Sequence, residues 1–462
     1  MKAKKTVAIL GAGITGLSAA KKLISMGFDV EVFEKEAIVG GLARSFSDPD
    51  GFIYDNGPRF IFSTLAEKLG ISDICSSVQY YEYLYIGEKK YQFPLGFIKN
   101  PLYCISVGLS MLTRKFKSKP SHLQDFLYVY YGKKLSNDIL IPLIEKWSGQ
   151  PCDKVSIDFA FRLLPTSITY ILYSLVKKLR RGKTEDYYRK SRYIVYPEGG
   201  NRRIFEALLS TPGLSVHVDQ EPLQITTDND RVTQIQFKDS SISPDYVIST
   251  IPIPSLHQII DKKSVLLEYQ TLSYRAISIL FLKIHKNKVL EGLWDWFPES
   301  HLPFYRISEY KNADSRLAPK GKTLISVEFA CSADSELAAF DATQLYQSIE
   351  EELKKRYQLS RSDIFEMKVE RSFHAYPVLK KDTEQIHRTI SHSTKLSNLF
   401  LAGRTGAFQY KMTEGCYQSA MDCAELIYAM EHKKDLNIDQ GETATSSQNF
   451  SDSFGRPNAI PE

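Results

Sequence analysis

Thr6-Val7-Ala8-Ile9-Leu10-Gly11-Ala12-Gly13-Ile14-Thr15-Gly16 is the stretch on which the fold turns. The apolar run Thr6–Leu10 reads as a buried parallel strand, and the glycines after it open a helix expected from Thr15 to Met26. A second strand is expected over Val30–Phe33, with Glu34 at its end about 20 residues beyond the glycines, the spacing of a dinucleotide-binding βαβ unit. Gly11 permits the tight turn, Gly13 lets backbone approach a pyrophosphate, and Gly16 allows close helix–strand packing. The helix start, Thr15 included, puts partial positive charge on the phosphates. The Glu34 carboxylate can accept hydrogen bonds from ribose hydroxyls and would repel a 2′-phosphate, and Lys35 beside it is assigned to the same ligand.

Working outward, ten residues suffice to reach a second glycine pair in Gly40-Gly41-Leu42-Ala43-Arg44-Ser45, where backbone can again come close to a ligand with a cation nearby. At the far end, Leu399–Leu401 reads as a strand, Gly403-Arg404 follows, and a helix is expected from Gly415 to Met430. A strand that closes the first domain from the C-terminal side makes the middle of the chain an insertion. Within it, Gly213–Phe237 and Tyr246–Thr250 are strand-rich, and Leu272–Ile284 and Thr323–Phe329 read as sheet strands of a substrate lobe. Helices are expected over 102–112, 125–135 and 167–180. Residues 433–462 are polar and aperiodic, a disordered tail. No internal repeat is found.

With 462 residues, 43% hydrophobic and 24% charged, the chain has the composition of a globular protein of two lobes. The net charge of +5 suits an anionic ligand without demanding one, and no basic run with interleaved aromatics points to nucleic acid. The six cysteines show neither C-x-x-C spacing nor a metal-ligand cluster, so reduced thiols, a cytoplasmic setting and no metal are expected. No stretch reaches the roughly 18 apolar residues of a membrane span. Two apolar segments with basic ends, Pro101–Lys119 and Ser167–Arg181, read as core helices with snorkelling lysines, with peripheral membrane contact as the alternative. Oligomeric state is not read from the sequence.

The second glycine pair resembles the FAD-binding extension of the glutathione-reductase-like and amine-oxidase-like flavoproteins. Phe52-Ile53-Tyr54-Asp55-Asn56-Gly57-Pro58 is similar to that superfamily's strand and turn beside the isoalloxazine. Tyr196-Pro197-Glu198-Gly199-Gly200 is similar to its Y-P-x-G-G helix start, and Gly403–Tyr410 to its C-terminal motif, where a helix N-terminus faces the flavin. The resemblance implies an α/β fold: a Rossmann-like FAD-binding domain, glutathione-reductase-like, with an inserted mixed α+β substrate domain. It divides the chain into an FAD-binding part at 1–70, a helical substrate or lid region at 71–195, and a middle FAD-binding part at 196–250. A substrate-domain sheet at 251–385, a C-terminal FAD-binding part at 386–432 and the tail complete it. It assigns to FAD Gly11, Gly13, Thr15, Gly16, Glu34, Lys35, Gly41, Leu42, Arg44, Asn56, Gly57, Pro58, Val218, Gly403, Arg404, Lys411, Met412 and Thr413.

Two branches fit, protoporphyrinogen-oxidase-like enzymes and UDP-galactopyranose mutases. Asn56–Ser63, the hairpin Tyr85–Pro94, Leu302–Glu309 and Ala375–Val378 are similar, in order, to mutase motifs. The mutase likeness implies substrate contacts at Arg162, Tyr193, Phe304 and Tyr376, and catalytic positions at Arg59, Arg275, Arg404 and Tyr410. Arg59 stands where mutases carry histidine, Phe304 where they carry a diphosphate-binding tyrosine, and Trp147 is shifted by one in Lys146-Trp147-Ser148-Gly149. About twenty residues at 166–185 are extra. Under the oxidase reading Arg59 binds a substrate carboxylate or supports reduced flavin. No histidine is placed at the flavin. An FAD-dependent oxidoreductase passing hydride from a small-molecule substrate to flavin N5 leads, and a redox-neutral mutase on a nucleotide sugar is the alternative. A flavin-binding scaffold without turnover is the third.

Overall fold

Val7, Ile9 and Leu10 leave almost no surface to water because strand β1 (Thr6–Leu10) runs through the middle of a parallel sheet. The computed structural model describes residues 4–78, 82–92, 96, 100–114, 120–160, 194–390 and 394–432. From β1 the chain enters helix α1 (Ile14–Ser25) and returns as β2 (Asp29–Phe33). It comes back to this sheet three more times, as β3 (Ser215–His217), β4 (Tyr246–Ser249) and β5 (Leu399–Leu401). The order β3-β2-β1-β4-β5 is parallel throughout. Helix α2 (Thr413–Glu431) follows β5 and packs beside α1, burying Cys416, Ala420, Cys423, Ala424 and Ile427 in a core shared with Leu17, Ala20 and Leu23. Small residues on both helices allow this close approach.

A second layer is a seven-stranded mixed sheet, ordered Ile364–Pro377, Tyr274–Ile284, Thr323–Cys331, Arg306–Glu309, Trp294–Trp296, Glu82–Ile86 and Lys89–Gln92. Its pairs are antiparallel except Trp294–Trp296 with Glu82–Ile86. Tyr274–Ile284 is central and buried over most of its length. Ile364–Pro377, absent from the sequence reading, is an edge strand whose charged residues alternate irregularly, the composition by which an exposed edge resists further pairing.

The expected helix 125–135 is Leu123–Tyr131, broken at Gly132 before a second short helix, Lys133–Leu135. Gly132 has φ +74°, and a Cβ there would lie 2.3 Å from the Ser106 carbonyl oxygen. Pro101–Thr113 is helical but is no core helix, because its packing partners reach one side only, leaving Leu102, Ile105, Leu109 and Leu112 exposed. Ser167–Arg181 and the tail lie outside the described residues. Among the described residues no helix is long and apolar enough to cross a membrane, no metal-binding cluster occurs, and all six cysteines are free, four of them buried.

Candidate active site

The loop between β1 and α1 is shaped by contacts that exclude side chains. Gly11 has φ +105°, and a Cβ there would lie 2.3 Å from Thr250 Oγ1; one at Gly16 would lie 2.0 Å from the Gly11 carbonyl oxygen. Around Gly13 only the Gly40 carbonyl oxygen comes as near as 4.0 Å, so the loop keeps open space over the helix start. No side chain caps α1 and its first turn holds no acidic residue, so its first amides are available to an anion. The Thr15 hydroxyl donates to the Cys416 carbonyl (3.3 Å), leaving its amide for the phosphate side. Gly40 N donates to the Ala12 carbonyl (2.9 Å), which presses the second glycine pair against the first loop.

Glu34 is 7% exposed at the end of β2. Its carboxylate accepts from Ala12 N (2.8 Å) and Glu36 N (3.1 Å), and each oxygen keeps acceptor capacity for a ribose hydroxyl. Lys35 sits on the exposed rim, 3.6 Å from Glu36, and Val218 stands exposed just beyond β3.

The other end of the crevice is polar and incompletely satisfied. Arg44 pairs with Glu370 (3.2 Å), Asn56 N donates to the Arg44 carbonyl (2.9 Å), and Asn201 donates to Asp55 (2.9 Å) and the Arg59 carbonyl (2.8 Å). Arg44 Nε, Asn56 Oδ1, Arg59 Nε and Asn201 Oδ1 are nonetheless buried without partners. Native interiors tolerate few such atoms, and this concentration fits a polar ligand laid along the crevice. A narrow cavity lined by Ile14, Ala43, Arg59, Asn201 and Thr413 joins the diphosphate loop to this region. Opposite, the start of α2 at Thr413 has no side-chain cap. Arg404 donates through Nε and Nη2 to the Lys411 carbonyl (2.8 and 2.6 Å). Its guanidinium lies 5.4 Å from the ring centroids of both Tyr376 and Tyr410, which are parallel to each other at 5.0 Å. Burial pulls the Lys411 ammonium below its ordinary range.

The substrate-lobe sheet supplies the remaining wall. Arg306 holds Glu328 with two contacts from Nη2 (2.7 and 2.8 Å) and one from Nε (2.9 Å), while the Tyr305 hydroxyl donates to the same carboxylate. Burial opposes the Arg306 charge, but the Glu328 carboxylate outweighs it; burial and Glu328 together push the Tyr305 phenol up. All three tryptophans of the chain gather here. Arg306 lies 4.8 Å from the Trp296 ring, and Trp147 meets Trp296 edge-on at 5.4 Å. A Cβ on Gly57 would be 3.9 Å from both Glu328 Oε1 and Arg59 Nη2, so the glycine turn at 57 touches this cluster.

The pattern described as flavin containing amine oxidoreductase matches residues 14–428. The chain belongs to that family. Its cofactor is FAD, for which the bare amides of α1, the Glu34 carboxylate and the unpartnered atoms near Gly57 form a fitting cradle. Coproporphyrinogen III oxidase of Staphylococcus aureus is 30% identical over 188 residues, 34% of this chain and 39% of that protein. Mitochondrial protoporphyrinogen oxidase of Nicotiana tabacum is 36% identical over 152 residues, 33% of this chain and 26% of its own length. The matched stretches thus span well under half of these relatives. In overall fold the chain is similar to reduced UDP-galactopyranose mutase, with a TM-score of 0.76, 17% identity, and 93% and 94% of the two chains covered.

Within this family member, the structure brings Gly41 against Gly13, Asn56 against Arg44, and Arg59 beside Gly57 on one side, and Arg404 onto Lys411, Tyr410 and Tyr376 on the other, while Met412 is exposed. Two expected positions are engaged by the protein itself. Arg275 donates to the carbonyls of Lys146 and Ala330 and to the Ser332 hydroxyl, fastening a helix end to the sheet. Phe304 is fully buried among Phe297, Phe329 and other apolar side chains, where it packs against protein. Arg162 and Tyr193 lie outside the described residues. The sequence reading missed Tyr305, Arg306, Glu328 and the edge strand carrying Glu370, Ser372, His374 and Tyr376. Ser372 meets Asn56 (3.4 Å), and His374 packs edge-on against Tyr274 at 5.3 Å. Burial, helped by the Lys35 charge, lowers the His374 pKa and favours the neutral ring. The strand bulges between Ser372 and Tyr376, so no unbroken period-two pattern announces these residues in the sequence.

Proposed function

We propose that the protein is an FAD-dependent oxidoreductase that dehydrogenates an apolar, carboxylate-bearing small molecule. The observation that carries this is how the arginines are employed. A diphosphate-gripping mutase needs free guanidinium forks, and here Arg275 and Arg404 are engaged by backbone carbonyls. Arg59 and Arg275 each keep a buried, unpartnered Nε, but Arg59 stands beside the glycine turn at 57, whereas Arg275 stands against Gly149 at a helix end. The names of the porphyrinogen-oxidising relatives agree with such a substrate.

Bound FAD supplies the two-electron acceptor. The α1 amides and Glu34 hold the nucleotide half, and the uncapped start of α2 faces the other end. Arg59 pairs with a substrate carboxylate, a charge-assisted contact that fixes orientation. Tyr376 and Tyr410 form an aromatic wall that orders an apolar substrate and excludes water. The division of the chain at residues 70, 195, 250 and 385 belongs to the same proposal.

The test is anaerobic mixing of the yellow protein with porphyrinogens and other apolar carboxylic acids. Bleaching of the flavin by one of them is expected, with a KM that rises on Arg59→Ala by one to two orders of magnitude, the worth of a charged contact of about 1.5–3 kcal/mol. Dithionite-dependent interconversion of a UDP-sugar, or a flavin spectrum perturbed by UDP, would overturn it in favour of the mutase chemistry.

A further inference from the structure

Helix Pro101–Thr113 turns an apolar face to solvent. Leu102, Ile105, Leu109 and Leu112 are 57%, 57%, 58% and 77% exposed, and their spacing sets them along one side of the helix. The opposite side is satisfied: Tyr103 donates to Asp138 (3.1 Å), and Ser110 to the Val129 carbonyl (2.5 Å). Met111 adds a further 42% exposed side chain. Leu102, Ile105, Leu109 and Leu112 form a contiguous stripe on one short helix, unlike the scattered single residues of ordinary surfaces, with Met111 off to its side.

The charge around the stripe is one-sided. Between Glu88 and Asp125 the sequence has no Asp or Glu, yet carries seven Lys or Arg. Arg114 follows directly and is exposed. Lys133 and Lys134 are exposed at the helix flank, where Lys134 N donates to Ser106 Oγ (3.0 Å); Asp138 pairs with the Lys134 ammonium (2.8 Å), so Arg114 and Lys133 are the cations that set the sign there.

We propose that this face docks on the surface of an anionic lipid bilayer, with the helix lying in the interfacial plane. Thirteen residues are too few to span the hydrocarbon layer. An apolar stripe rimmed by cations matches acyl chains beneath acidic headgroups. Charge argues against the other occupants. A second copy would bring the same cations face to face, and the chain's own segment 161–193 carries nine basic residues against two acidic ones. The inference rests on this surface alone and stands apart from the redox chemistry proposed above.

The experiment is co-sedimentation of the FAD-loaded full chain with vesicles of phosphatidylglycerol and phosphatidylcholine in equal parts, against phosphatidylcholine alone. Binding to the anionic vesicles, weakened by salt, is expected. In Leu109→Asp/Leu112→Asp it should fall at least about tenfold, a 1.4 kcal/mol loss, with flavin spectrum and unfolding midpoint unchanged because both side chains already face water. Leu102→Ser/Ile105→Ser should weaken binding likewise and serves if the first variant folds poorly. Equal binding by wild type and variants, or no binding to anionic vesicles, would overturn the proposal. So would a lipid-independent dimer that the substitutions abolish, because the stripe would then belong to a second copy.

Discussion

A single methyl group at Gly16 would have to occupy a point 2.0 Å from the Gly11 carbonyl oxygen, and backbone cannot move aside as a flexible side chain can. Gly16→Ala is therefore expected to push α1 off its loop, costing about 1–3 kcal/mol of stability and most of the bound flavin. The ratio of flavin to protein absorbance after purification reads the second effect, and urea unfolding the first. Lys146 offers a test through pH. Its ammonium donates to the carbonyls of Phe297 (2.8 Å) and Phe304 (2.9 Å), and burial pulls its pKa down to about 8. The folded state thus holds this proton less tightly than the unfolded chain, whose lysine titrates near 10.4. Below about pH 8 the buried charge is a fixed penalty; between there and the ordinary lysine range stability rises with pH, by roughly 3 kcal/mol at most. Lys146→Met should lack that rise, so the difference between the two unfolding free energies should change across this window and be flat below it.

At the scale of elements, strands Arg306–Glu309 and Thr323–Cys331 are joined by more than their ladder. Arg306 and Glu328 lie opposite each other in register, and both are removed from water. Glu328→Gln would strand the guanidinium and is expected to cost about 3–5 kcal/mol, whereas Arg306→Met/Glu328→Leu should recover much of it. Denaturant midpoints of the two variants decide this. Such a loss for both alike would mean that the pair itself, rather than the unpaired charge, sets the energy. These same elements show what was legible in the sequence. The β1–α1–β2 unit could be read because a strand buried on both faces is continuously apolar and its glycines answer to backbone geometry. In the run Leu302–Glu309 the likeness points to Phe304, which turns into the core, while Arg306, two positions on, meets Glu328 and the tryptophans. The edge strand Ile364–Pro377 escaped because Glu366, Lys368, Glu370 and Arg371 hide its period, although Tyr376 at its end was singled out. Arg275 was chosen by likeness alone, and its carbonyl partners come from segments more than fifty residues away that no local pattern discloses.

For the whole molecule, the decisive fact is that the five-stranded sheet is assembled from segments beginning at residues 6, 29, 215, 246 and 399, so nearly four hundred residues must return to one crevice. The crevice wall also draws Glu370 and Ser372 from the other sheet against Arg44 and Asn56. A ligand lying there touches groups from both layers and satisfies buried atoms that protein alone leaves unpartnered. FAD should therefore bind the folded chain and not the unfolded one, and raise stability by mass action: about 2.7 kcal/mol when free FAD exceeds its dissociation constant a hundredfold. Urea unfolding at a series of FAD concentrations should show a midpoint climbing with the logarithm of free FAD, with fluorescence of the tryptophan cluster and flavin absorbance lost in one transition. Because Trp294 and Trp296 stand on the second sheet, with Trp147 packed against Trp296 from a helix, and the glycine loops on the first, coincident loss would mean that the cofactor couples the two layers. A tryptophan transition indifferent to FAD would mean that the substrate lobe folds without reference to the nucleotide crevice.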